Sequence, residues 1–204
     1  FVCSDMWRPY LKVIAKKVPQ ALNVLDRFHI VANLNKALNE IRASEARRLR
    51  QEGYQDVLKH TKYCFLKRPE NLTPKQKLKL TEVLQYDLKS VRAFLLKESF
   101  QIFWNYDSPY WAQWYLKKWC ARAMRSRLEP MKKFVKMIRR HESLILNWFR
   151  ARKAYSSGFV EGLNPKINLT TRKAYGYRSF EWQKISLFHT MGKLPEPEFT
   201  HKFY

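Results

Sequence analysis

Acidic residues are scarce in this sequence: 17 Asp and Glu stand against 40 Lys and Arg, a formal net charge of +23 over 204 residues. An imbalance of that size calls for a partner carrying many negative charges, most often nucleic acid, with a membrane surface as the weaker alternative. Glycine is scarce too, with five in all, which nearly excludes a phosphate-cradling glycine loop; no nucleophile elbow occurs either. The three cysteines, Cys3, Cys64 and Cys120, are odd in number, widely spaced and form no CxxC pair. They exclude a zinc pattern and read as reduced structural thiols in a cytosolic compartment. No apolar run approaches the roughly 18 residues that a membrane span needs, and no signal peptide is visible. Internal repeats and low-complexity segments are also missing.

What is present can build an interior. At 46% hydrophobic and 15% aromatic the chain should fold, as one core or as one core carrying a large insertion. It opens at "FVCSDMW", without methionine and as though entered partway along a strand, so a fragment is expected.

"FVCSD" is a short strand pattern ending in a carboxylate, and "MWRPYLKVIAKKV" spaces Tyr10, Val13, Ile14 and Lys17 as a short amphipathic helix with Pro9 in its first turn. "ALNVLD" (21–26) repeats the strand-plus-acid pattern. Ile30, Leu34, Leu38, Ile41 and Leu49 then recur at helical spacing. Strand, helix, strand, helix over residues 1–50 is the grammar of a parallel α/β unit. Residues 51–150 offer no convincing strand and read as an all-helical block. Thr73 before Pro74 and Ser108 before Pro109 mark two helix starts; one helix is expected over about 87–104, and another runs through "PMKKFVKMIRRHESLILNWFRAR". "SSG" at 156–158 is the clearest break, followed by two more helical stretches and a tail marked by Pro195 and Pro197. The expected class is therefore α/β with a large all-α insertion, mostly helical overall.

Charge is concentrated: residues 110–178 hold 17 Lys and Arg against three acids, Glu129, Glu142 and Glu161. In the last long helix Lys132, Lys136, Arg139 and Arg140 gather on one side, opposite Phe134, Ile138 and Ile145. Any single basic cluster can be a solvated helix face; the sum suits a surface that tracks phosphates. The aromatics of "FWNYDSPYWAQWYLKKW" fit a core at helical spacing (Trp111, Tyr115, Trp119), with Trp104, Tyr106 and Tyr110 beside a turn as candidates for stacking on unpaired bases.

Asp5 and Asp26 each end a candidate strand, where ligands gather in open α/β sheets, and a carboxylate there suits a hard cation such as magnesium. Either can instead cap the helix that follows, Asp26 especially. His29 can act as a general base or be a packed histidine. Glu161 sits among Lys166, Arg172, Lys173 and Arg178, where an acid opposes polyanion binding unless a cation bridges it to phosphate; that points to metal.

"VCSDMWRPYLKVIAKKVPQALNVLDRFHIVANLNKALNEIR", followed far downstream by "SSGFVEGLNPKINLTTRKAYGYRSFE", closely resembles the transposases of the ISL-three insertion-sequence family of bacteria. The resemblance covers about 90 residues at both ends of the chain and is most specific in "DRFH" and "VEGLNPKI…AYGYR". It implies a DDE transposase with a ribonuclease-H-like core, in which three carboxylates bind two divalent ions, magnesium or manganese. Asp5 matches the second Asp of that triad and Glu161 its Glu; Asp26 is a further possible ligand. The family's first Asp lies on an earlier strand, before residue 1, so this chain alone is expected to be inactive. Residues 1–50 would be the second half of the core, 51–150 an insertion, and 151–204 the Glu helix with basic helices and tail. Lys166, Arg172, Lys173 and Arg178 would hold DNA near the metals. The resemblance further implies an oligomer on transposon-end and target DNA, in the bacterial cytoplasm at the nucleoid. A non-catalytic DNA-binding or assembly module, or a structure-selective nuclease on the same fold, are the alternatives.

Overall fold

Two three-residue strands, β1 (Val2–Ser4) and β2 (Asn23–Leu25), pair in parallel with Val2 opposite Asn23 and Ser4 opposite Leu25. A parallel pair needs a crossover, and α1 (Arg8–Lys17) supplies it, with Pro9 in the first turn where no intrahelical donor is needed and Lys16 and Lys17 at the negative end. These elements belong to a computed structural model describing residues 1–54, 56–153 and 158–192, with the side chains of 158–164 outside that description. Tyr10 and Val13, expected on the covered face of α1, stay more than half exposed.

The organising element is α2 (Arg27–Gln51), about 38 Å long at 1.5 Å per residue. Asp26 caps its start: Oδ1 accepts from the Phe28 N–H at 3.0 Å. Its buried stripe of Ile30, Leu34, Leu38 and Ile41 carries the helical period and packs against α5 (Lys89–Gln101) and α7 (Glu129–Arg140). Between them come α3 (Lys62–Leu66), α4 (Pro74–Leu84) and α6 (Pro109–Arg125), and α8 (Glu142–Arg150) packs on β2. The Asn147 side chain of α8 donates to the Asn23 carbonyl at 2.8 Å, tying helix to strand.

Two buried charges act as caps supplied by a distant helix. Glu45 of α2, 4% exposed, accepts from the Lys89 and Ser90 N–H groups at 2.8 and 2.7 Å and from the Ser90 hydroxyl. It serves the orphan donors of α5, whose own cap position holds Leu88. Lys97 of α5 donates to the carbonyls of Phe65 and Lys67 at the end of α3, at 2.9 and 3.2 Å, and pairs with Glu98. Around these helices runs an aromatic core in which Phe100 meets Trp119 at 4.7 Å, Phe103 meets Phe149 at 5.0 Å and Trp104 meets Trp148 at 5.1 Å.

Four further expectations change. The last long helix is two: His141, at φ −112° and ψ 15°, separates α7 from α8. The helix over 87–104 ends at Gln101 and passes into a 3₁₀ turn at Ile102–Asn105. That turn carries Trp104 inward, 2% exposed, so it cannot stack on bases, whereas Trp111 is 53% exposed and leaves the core stripe of α6 to Ala112, Leu116, Trp119, Cys120 and Ala123.

Phe1–Tyr155 form one compact unit and Ser156–Tyr204 a second. The second unit contains α9 (Gly158–Lys173) and α10 (Phe180–Met191), linked through a turn in which Gly176 takes φ +104°, a conformation that favours glycine. Tyr177 hydroxyl meets Ser186 Oγ at 2.8 Å and Gln183 donates to Thr171 Oγ1 at 3.4 Å, holding the helices together. Pro165 lies inside α9 and cannot donate to the carbonyl four residues back. The tail prolines, Pro195 and Pro197, lie outside the described residues. No helix among the described residues is long and apolar enough to cross a membrane.

Candidate catalytic strand edge and nucleic-acid interface

Because β1 and β2 are parallel and in register, Asp5 and Asp26 emerge side by side, each one residue past the paired Ser4 and Leu25. Their environments differ. Asp5 is half-buried, and one of its carboxylate oxygens accepts from the Trp7 N–H at 2.9 Å, a local turn that leaves the second oxygen for other partners. Asp26 is 3% exposed, its N–H donates to the Ser4 carbonyl at 2.9 Å and its carboxylate caps α2, so the structure gives it a structural role whatever else it does. His29 is half-buried with its ring edge-on to Phe28 at 5.6 Å. Among the described residues no group of three His, Cys, Asp or Glu could hold a metal ion. The backbone of residue 161 lies in α9, but the Glu161 side chain is outside the described residues.

On α7, Met131, Phe134, Val135 and Ile138 are buried, while Lys136, Arg139 and Arg140 are exposed, as the helical period dictates. Lys132 is half-buried and donates to Glu129 at 2.6 Å. That hydrogen bond, then the nearby charges of Lys132, Lys136 and Lys133, hold the Glu129 carboxyl below the ordinary range. In the second unit Lys166, Arg172, Lys173 and Arg178 are all exposed, and Lys166 and Lys173 line a groove of about 430 Å3 between α9 and α10.

Cys3, Cys64 and Cys120 carry thiols and form no disulfide. Burial pushes the Cys120 thiol up to about 11.

A family model described as a transposase, of the ISL3 DDE type, matches residues 1–186. This chain belongs to the ISL3 transposase family. The transposase for insertion sequence element IS1001 of Bordetella parapertussis is 30% identical over 183 residues, covering 89% of this chain and 45% of that protein. The transposases for element IS1557 of two Mycobacterium tuberculosis strains, CDC 1551/Oshkosh and H37Rv, are 30% identical over 190 residues, covering 82% of this chain and 42% of theirs. The chain thus spans less than half the length of the curated relatives it matches. No solved structure matches it.

In this ISL3-family chain one set of cations escaped sequence reasoning. Lys118, Arg122 and Arg125 share a face of α6 with Trp114 and line an open groove along it, which Arg122 and Arg125 continue against α5. Their spacing of four and three residues was the available signal, masked by the denser basic run just downstream.

Proposed function

We propose that this chain is part of a metal-dependent DDE transposase, which cuts and joins the ends of an insertion sequence. The reading is carried by the family match, which runs from residue 1 to residue 186 and so takes in both Asp5 and Glu161. Asp5 and Glu161 are two of three catalytic carboxylates, Asp26 a possible further ligand; the family pattern includes a first Asp for which this sequence has no matching position. Residues 1–50 are the second half of a ribonuclease-H-like core, 51–150 an insertion in it, and 151–204 the Glu helix with its basic flank. The parallel pair with Asp5 at the carboxyl end of a strand supports that assignment, since ligands of open α/β sheets gather there.

The donor chemistry fits a hard cation, for Asp5 has one oxygen engaged by its own turn and a second left to ligate. Two magnesium or manganese ions in the complete site would activate the attacking oxygen and stabilise the leaving one in an in-line displacement at phosphorus. The chain's own cations do the holding. Lys132, Lys136, Arg139 and Arg140 on α7, and Lys166, Arg172, Lys173 and Arg178 in the second unit, neutralise phosphates of transposon-end and target DNA without reading sequence. The enzyme works as an oligomer on DNA, at the nucleoid.

Transposition by the full-length protein carrying Asp5→Asn or Glu161→Gln tests the assignment. Activity is expected to vanish while binding to element-end DNA persists; undiminished transposition would refute it. The 204-residue chain alone is expected neither to cut nor to join DNA with magnesium or manganese. A structure-selective nuclease would instead yield nicks and no joined product.

A further inference from the structure

A groove runs along α6 and, past Arg122 and Arg125, continues between α6 and α5. Its wall on α6 is a stripe at helical period, Trp114, Lys118, Ala121 and Arg125, and its floor is Tyr115 and Trp119. Ser99 of α5 fastens the floor: its carbonyl accepts from the Tyr115 hydroxyl at 2.5 Å, and its Oγ accepts from the Trp119 indole N–H at 3.1 Å and from the Arg122 guanidinium. Arg122 is thereby set at the rim, next to Arg125. On their far side the groove continues past Arg92, Leu95 and Ser126. The two stretches measure about 510 and 450 Å3, and the surface lining them is mainly apolar.

Its charge is of one sign. Among the described residues no acid lines either stretch, and none of Arg92, Lys118, Arg122 and Arg125 pairs with a carboxylate. Lys118, Arg122 and Arg125 follow one another by about 6 and about 4.5 Å along α6, a row able to meet successive phosphates of one strand. Trp114, 42% exposed, offers an indole face on which the Lys118 ammonium rests at 3.8 Å from the ring centroid. Water-facing indole beside fixed cations is what a base and its phosphate require together. A duplex buries its base faces and could use only the cations.

We propose that this groove binds an unpaired stretch of DNA strand, a base stacking on Trp114 while Lys118, Arg122 and Arg125 hold its flanking phosphates. Phosphate draws Lys118 off the indole and opens the ring to the base. None of the described residues that line the groove belongs to the Asp5 edge or to the basic set on α7. It rests on the DNA-binding part of the transposase reading and on none of its chemistry.

The test is fluorescence anisotropy of the 204-residue chain with a labelled oligothymidylate and with a duplex of the same length, at low and moderate salt. Trp114→Ala is expected to weaken the single strand about tenfold and the duplex hardly at all, with Trp114→Phe restoring most of the loss. Arg125→Gln should weaken both and lower the salt slope. A 2-aminopurine placed in the oligonucleotide should be quenched by the parent chain and not by Trp114→Ala. An unchanged thermal melt for Trp114→Ala, whose side chain lies outside the core, separates binding from folding. Equal single-strand affinity in parent and Trp114→Ala would overturn the proposal, as would displacement by polyglutamate at concentrations matching the oligonucleotide. If the full-length Asp5→Asn protein still transposed while Trp114→Ala lost the oligonucleotide, the catalytic reading would fall and the groove would stand.

Discussion

Glu45 shows how a single residue can hold two distant parts of this chain together. Its carboxylate serves two backbone N–H groups and a hydroxyl, 44 and 45 residues away. Glu45→Ala leaves those donors buried with no acceptor, and a loss of about 3 kcal/mol is expected in urea unfolding, with Glu45→Gln losing less because one oxygen survives. Cys120 makes a different prediction. Its folded thiol titrates near 11, above the ordinary value of 9.0, because burial disfavours the thiolate. Between those values the unfolded chain gives up the proton first, so this contribution is intact below about pH 9 and is lost as pH rises toward 11. Raised Cys64 and Tyr115, both through burial, act in the same direction. Melting temperature measured against pH should fall on the alkaline side, and Cys120→Ala should flatten that fall. The sequence gives no hint of Glu45's role, since an acid in a basic helix reads as a solvated charge and its partners are set by tertiary packing.

At the scale of elements, local chemistry was the readable part. Thr73 forms a full capping box: its hydroxyl accepts from the Gln76 N–H at 3.3 Å and the Gln76 side chain returns the bond at 3.2 Å. Ser108 occupies the same position on α6 but makes no side-chain cap bond. Thr73→Ala should therefore cost about 1 kcal/mol and Ser108→Ala less than about 0.5 kcal/mol, a contrast that denaturant midpoints can resolve. The parallel strands and the cap at Asp26 were equally visible, because an apolar run ending in an acid before a helical period is a local signal. The break at His141 was not. Ile145 N–H still bonds the His141 carbonyl at 2.9 Å across it, so the apolar period continues and only backbone angles betray the turn. Trp104 was misjudged for a related reason: a 3₁₀ turn continues the burial direction of α5 where a surface turn was expected.

For the whole molecule, net charge is the property that partners meet first. Each phosphate neutralised releases counterion, so affinity for DNA should drop steeply between low and moderate salt and vary little with sequence; a flat response would remove the basic surface from the account. Of the candidate site, the sequence offered Asp5 and Asp26 through strand ends and Glu161 through its basic surroundings as well as the resemblance. The groove stayed hidden because its cations on α6 are spaced among aromatic residues that read as core, just upstream of a denser basic run.

The cap at Glu45 bears on how the helical segment could be exchanged. Residues 51–150 cannot be lifted out as a cassette, because α2 would keep a buried carboxylate whose donors had left with α5. A chimera that grafts this segment into a relative should fold only if α2 travels with it, and a junction drawn at residue 51 should give no cooperative melt. The natural seam for transplantation lies ahead of β2, so that the Asp26 cap and the strand tied to Asn147 travel with α2, inside what a strand-and-helix count would treat as the core.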